Sequence, residues 1–311
     1  MPNIKHTFVS GKTDGGDATL VRPSNWNAEH TVDQYLDIPD VVTPAAPSTG
    51  NLRIFAKTRA ARGTLNTIGP LGVDVAYQPA LFGNTMILWV PSGTTAQTAF
   101  GAVYTARNNG TSAAQATPAR ASTNAMTSLF RATFSTGTTA TGSSGTQTAS
   151  TVAWRGNAAG LGGFFFFSRF GVETLSADLR VFVGLSANNA TIVADASTWP
   201  NTCGLVKDTA DSTWQFATRN ATTLTKTASG CTVTAGQILD LYVFAPPNNS
   251  ATIYVRLVDA VTGTIFMDDV AITSNLPVNT TFMYMQAQTQ SVTGTTAKLL
   301  ALNKMYLEQD L

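Results

Sequence analysis

The sequence predicts an all-β chain in three parts: an extended N-terminal arm, a small β unit and a C-terminal antiparallel β-sandwich. Composition is the first sign. Thr, Ala, Ser, Asn and Gly dominate, while glutamate occurs only at Glu29, Glu173 and Glu308. That balance suits strands and turns and gives surface helices little to work with. Alternation is the second sign. Leu179, Val181, Val183 and Leu185 share one face; so do Leu239, Leu241 and Val243; so do Ile253, Val255 and Leu257, with Tyr254 and Arg256 opposite. Runs of period two have one face to bury. Turn signals such as "APPNNS" and "VTGT" fall between them, which favours antiparallel pairing.

Residues 1–37 read as the arm. "GKTDGGDATLVRPSNWNAEHTVD" (Gly11–Asp33) has no apolar period of either kind, yet it holds a tryptophan and an Arg-Pro pair. A segment of this kind gains order by lying along a larger surface. Trp26 is its best anchor, with a large apolar body and one N–H donor. Arg22 offers a fork for a partner carboxylate, and His30 completes the candidate docking set. A disordered terminus is the alternative reading.

Residues 38–92 read as a spacer and a small β unit. Three prolines between Ile38 and Gly50 give an extended stretch. Short strands follow at Leu52–Lys57, Thr64–Ile68 and Val73–Tyr77, and they need partners from another domain or another copy of the chain.

Residues 93–311 read as the sandwich, of jelly-roll or lectin-like form. "NNATIV", "STWQFAT", "GTIFMDDVAIT", "TFMYMQAQ" and "AKLLALNKMYLE" add strand candidates. Ser135–Ser150 reads as a loop, because it lacks apolar side chains to offset its ordering entropy. "GFFFFSRFG" is apolar on both faces, as expected of a strand between layers or one whose outer face meets a neighbour.

Several chemistries are disfavoured. A net charge of +1 with 12% charged residues argues against nucleic-acid binding. No run is long enough to insert in a membrane, and the N-terminus lacks an apolar secretory core. Both histidines, His6 and His30, lie in the arm, so the body holds no Ser-His-Asp triad, Cys-His pair or histidine metal cluster. Glu173 and Glu308 are far apart in sequence. Asp268 and Asp269 are adjacent, so on a strand they face opposite sides. An acid dyad drawn from Asp178, Asp240 or Asp269 is the enzymatic alternative. Asp14 and Asp17 suit a turn better than a calcium loop. The expectation is no catalytic residue, no metal and no cofactor. Cys203 and Cys231 read as two small separate thiols, with pairing across neighbouring strands as the alternative. Trp154, Trp199 and Tyr254 are the candidate glycan contacts, beside Trp214 and Tyr242; for each, a place in the core or an interface is the alternative.

"HTFVSGKTDGGDATLVRPSNWNAEH" (His6–His30) resembles the N-terminus of tailed-bacteriophage structural proteins of the tail or tail-fibre kind. "RIFAKTRAARGTLNTIGPLGVDVAYQPALFGN" (Arg53–Asn84) is similar to them too, as are "VFVGLS", "CGLVKDTADSTWQFATRN", "TAGQILDLYVFAPPNNSATIYVRLVDAVTG" and "LALNKMYLEQD". The resemblance implies a virion component, commonly a homotrimer, with an N-terminal attachment region; Arg22, Trp26 and His30 are then the expected contacts to another tail, collar or baseplate protein. It implies a distal β-domain but no particular receptor and no catalytic residues. The main expectation is a tail fibre or receptor-binding protein that presents the sandwich to a host surface polysaccharide. A collar, head-fibre or decoration protein is the second expectation, and a polysaccharide depolymerase the third.

Overall fold

Alternating side chains sort the strands into two packed layers. In a computed structural model, residues 38–59, 62–72, 74–76, 84–91, 97–158, 161–247 and 251–309 are described. The arm, with Arg22, Trp26 and His30, lies outside the described residues.

Sheet A runs in the order β17 (Ile265–Ile272), β16 (Ile253–Asp259), β15 (Leu239–Ala245), β10 (Phe164–Thr174), β19 (Leu299–Gln309), β8 (Arg131–Ser135) and β7 (Ala114–Ala119). The strand β4 (Thr85–Trp89) pairs with the second half of β19. The sandwich therefore begins upstream of the Gly93 boundary. Sheet B runs β14 (Leu224–Thr232), β13 (Thr213–Arg219), β12 (Thr202–Lys207), β11 (Leu179–Ser186), β18 (Tyr284–Ser291), β9 (Ser143–Thr148), β6 (Ala102–Ala106) and β5 (Gln97–Ala99).

The predicted apolar faces meet between the sheets. Phe164, Phe166, Leu239, Leu241, Val243, Val255 and Leu257 of sheet A pack in one cluster with Leu179, Val181, Val183, Leu185, Trp214 and Phe216 of sheet B. Each such side chain contributes about 1.5–3 kcal/mol on burial. The cysteines are buried but separate. Cys203 lies on β12 and Cys231 on β14, with β13 between them. Two strand spacings alone separate them by roughly 9–10 Å, and Cys231 also lies several residues along from the position in line with Cys203, so they are beyond disulfide reach.

Two expectations fail. "NNATIV" is not a strand; it belongs to a segment that covers the outside of sheet B. Ser135–Ser150 is not a loop throughout, because Ser143–Thr148 forms β9, buried at every residue between β18 and β6. The backbone pairs on both sides, and some of the buried polar side chains also find partners. Ser144 Oγ donates to Asn108 Oδ1 at 2.7 Å, and Thr148 Oγ1 accepts from Met285 N at 3.1 Å. A backbone paired on both sides, with partnered side chains such as these, lets a strand be buried without apolar residues. Gly145 makes the close approach possible: a Cβ there would lie 2.4 Å from Ala287 O.

The small unit is a three-stranded sheet, β1 (Arg53–Arg59), β2 (Arg62–Ile68) and β3 (Asp74–Ala76). The spacer lies along it. Arg53 Nη1 donates to Ala45 O at 2.7 Å and Lys57 Nζ to Thr43 Oγ1 at 2.6 Å. Phe55 and Ile68 are buried, while Ile54 and Leu65 face outward and exposed.

Candidate functional site

The two sheets differ in what covers their outer faces. On sheet B, residues 284–290 alternate, sending Met285 and Ala287 into the core and Gln286, Gln288 and Gln290 outward. The chain's own segment 187–201 closes over these glutamines. Gln288 Oε1 accepts from Ile192 N at 2.8 Å, and its Nε2 donates to Ala190 O at 3.2 Å. Gln147 Nε2 donates to Asn189 Oδ1 at 3.0 Å. Arg180 Nη1 donates to Gln290 Oε1 at 2.9 Å, and its Nε to Asp195 Oδ1 at 2.5 Å. Trp199 seals the apolar end against Phe182, with ring centroids 5.2 Å apart. At 6% exposure it has no face left for a glycan. Trp199 is itself part of the covering segment and packs down onto Phe182, Val206 and Ala217, a placement its sequence did not announce. Trp214, at 2% exposure, is inner core.

Sheet A presents a different surface. On β10 the phenylalanines alternate, Phe164 and Phe166 inward, Phe165 and Phe167 outward. Register places Tyr254, Phe244, Phe165 and Glu308 in one row across β16, β15, β10 and β19. Arg256, Tyr242, Phe167 and Tyr306 form the next row. Phe167 and Tyr242 lie 4.8 Å apart by centroid, and Phe244 and Tyr254 6.4 Å. Neighbouring strands are about 4.8 Å apart, so the rows span roughly 14 Å. All six aromatics are partly exposed, Phe165 the most. Tyr254 thus belongs to the surface, with Tyr242 beside it.

The turn after β2 stands over this face. Thr67, Gly69, Pro70 and Leu71 from the small sheet, with Thr49 and Leu52, enclose a groove of about 710 Å³ against Phe165, Phe244 and Tyr254. That volume falls in the range of ligand sites, as does a mostly apolar lining with a few polar groups.

Those polar groups are held in place. Glu308 Oε2 accepts from Tyr306 Oη at 2.9 Å and its Oε1 from Asn84 Nδ2 at 3.1 Å. Burial and the Glu308 charge raise the Tyr306 pKa, so the phenol stays protonated and donates. Burial, then Asp240, raises Tyr242 likewise. Asp268 and Asp269 do not face opposite sides. A register shift between Val255 and Leu257 breaks the pleat, Asp269 takes φ 48°, and both carboxylates approach Arg256. A bulge redirects side chains in this way. The third row holds Arg169 against Asp240, with Nε and Nη2 each 2.7 Å from an oxygen.

The acids proposed for a dyad are dispersed or engaged. Asp240 is paired with Arg169, and Glu173 with Arg131. Asp178 binds Ser291 Oγ and the backbone of 293–294 at the edge of sheet B. No group of three or more His, Cys, Asp or Glu suited to a metal occurs among the described residues. Among them also, no helix is long and apolar enough to cross a membrane. Trp154 sits at the end of the sandwich, stacked on exposed Phe282 at 5.1 Å. Sequence reasoning missed Phe165, Phe244, Tyr306 and Glu308 as one surface; the signal was there in the doubly apolar "FFFF".

No family model and no curated protein matches the chain. A protein of unknown function from Shewanella oneidensis MR-1 is similar in structure, with TM-score 0.51 and 11% identity over 74% of this chain and 87% of that one. Arcelin-5, a lectin-like defence protein from Phaseolus vulgaris, gives TM-score 0.45 and 10% identity over 74% of this chain and 99% of its own. The Ca²⁺-bound exoplasmic/lumenal domain of VIP36 gives TM-score 0.45 and 12% identity over 72% and 89%. At such identities likeness speaks to fold, and this chain is an antiparallel β-sandwich.

Proposed function

We propose that this chain is a structural and adhesive protein of a tailed-bacteriophage virion, a tail fibre or receptor-binding protein. Its arm docks on another virion protein, the small sheet is shared in a homotrimer, and the sandwich is presented to the host surface without catalysis. The observation that carries the adhesive part is the partly exposed aromatic face of sheet A with its groove, beside a sheet B whose outer face is closed by the chain itself. Contiguous exposed apolar surface rimmed by polar groups marks a place of contact. The virion part is supported by the resemblance at His6–His30 and by the order arm, spacer, small sheet, sandwich.

Gold-labelled antibody against the sandwich, imaged on virions that carry this chain, tests the reading. Label at the tail tip or fibres is expected. Label on the collar or capsid moves the protein to the decoration class, whose packing role the outward Ile54 and Leu65 would serve. Absence of the chain from purified particles by mass spectrometry overturns both.

A further inference from the structure

We infer that the groove between the Gly69–Leu71 turn and the aromatic rows takes the pyranose rings of an uncharged polysaccharide. This rests on the adhesive reading and names the ligand of that same surface. A pyranose has a C–H face and a hydroxyl rim, and the groove offers a counterpart to each. Phe165, Phe244, Tyr242 and Tyr254 supply ring faces along its floor. Glu308 supplies a carboxylate fixed by Tyr306 and Asn84; a carboxylate accepts at about four positions, so lone pairs remain for sugar hydroxyls. Asp269, at the far wall, is largely exposed.

Charge selects among sugars. Among the described residues, two carboxylates, Asp269 and Glu308, line the groove with a single cation, Arg256, which Asp268 and Asp269 already engage. A uronate or sialate would meet like charge with no unengaged cation among the described lining residues, an arrangement that rejects the wrong ligand. An added peptide strand is disfavoured for another reason. Strands β15 and β10 are each paired on both sides, so the aromatic rows offer no open edge for strand addition.

The test is affinity electrophoresis of the purified full chain through gels holding dextran, galactomannan, mannan or β-glucan, against gels holding alginate or hyaluronate. Retardation is expected in at least one uncharged gel and in neither anionic one. Phe165→Ala and Tyr254→Ala should each weaken it at least about tenfold, the size of loss seen when a central aromatic anchor is truncated. The double variant Asp269→Asn with Glu308→Gln should gain retardation in alginate. Melting curves check that each variant folds; if Phe165→Ala does not, Tyr242→Ala carries the same test. The inference is overturned by no retardation in any uncharged gel, by wild-type retardation in alginate, or by aromatic variants that bind as wild type. A changed oligomer mass in those variants also overturns it, because the face would then be a subunit contact. Labelled virions without polysaccharide binding would remove this inference alone; binding without label would remove the virion reading alone.

Discussion

Arg169 and Asp240 meet across β10 and β15 as a two-point ion pair, both bonds 2.7 Å long, on the row beside the aromatics. The Asp240 side chain is 8% exposed and that of Arg169 31%. Truncating the acid leaves a half-buried guanidinium without its fork. Asp240→Ala should cost about 1.5–3 kcal/mol in urea unfolding, the range for hydrogen bonds to charged groups. Replacing both residues, Arg169→Met with Asp240→Leu, should recover most of that loss. An Asp240→Ala midpoint equal to wild type would show that the pair contributes nothing.

Gly145 is needed for space. A Cβ would stand 2.4 Å from Ala287 O and 2.7 Å from Gln288 Cα, both backbone atoms. Gly145→Ala should therefore cost at least about 2 kcal/mol and lower the Tm by about 4–8 °C. Calorimetry showing an unchanged Tm would mean that β9 pairs with β18 more loosely than described.

Asp178 gives the fold an acid limit. Burial opposes its charge, but donors from Ser176, Gly294, Thr293 and Ser291 outweigh that and hold the carboxyl well below the usual carboxylate range. A folded pKa below the unfolded one, about 3.9, adds stability that is full above the unfolded value. It is lost as pH falls through the folded value. The Tm gap between wild type and Asp178→Asn should be constant near neutrality and narrow below about pH 4. A gap that instead widens in acid would reverse the assignment.

The two thiols should be inert in the folded protein. Burial pushes Cys203 up to about 12 and Cys231 up to about 11, so almost no thiolate exists at pH 8. Native protein should resist thiol reagents, take up two labels when denatured, and melt at the same temperature with or without reductant. Fast labelling in the native state would mean that the sandwich opens locally.

The strands described for the two eight-stranded sheets all lie at Thr85 or beyond, so removing residues 1–37 leaves them whole. The truncated chain should melt as one cooperative unit near the wild-type Tm and keep its oligomer mass, trimeric by mass photometry under the reading above. It should fail to enter virions when supplied alone. Full incorporation would sink the docking role of Trp26. By contrast Val255→Asp, at a site 1% exposed, should abolish folding, because an unpaired buried carboxylate costs several kcal/mol.

The sandwich was legible wherever one face of a strand is apolar, as in β11, β15 and β16, since alternation records burial directly. It was illegible in β9, where "SSGTQT" is buried through the pairing of its backbone with β18 and β6. No hydropathy pattern reports partners supplied from 140 residues away by β18. The site was half legible. Tyr254 and Arg256 were placed on the outer face by period two, but the bulge that brings Asp268 and Asp269 together toward Arg256 has no sequence period. The burial of Trp199 was not legible because it lies on the covering segment, next to a single 3-10 turn, where no strand period reports packing against Phe182.

The placement of β19 bears on how the protein is made. This strand lies in the middle of sheet A, joined to β10 on one side and to β8 and β4 on the other, yet a ribosome makes it after every other strand of the sandwich. Until residues 299–309 leave the exit tunnel, β10 and β8 have no shared neighbour, and each keeps an open edge. Open edges invite pairing with other nascent chains. A message cut short, or a ribosome stalled before Leu299, therefore yields a chain with an incomplete sheet A, which proteases can distinguish from the finished product.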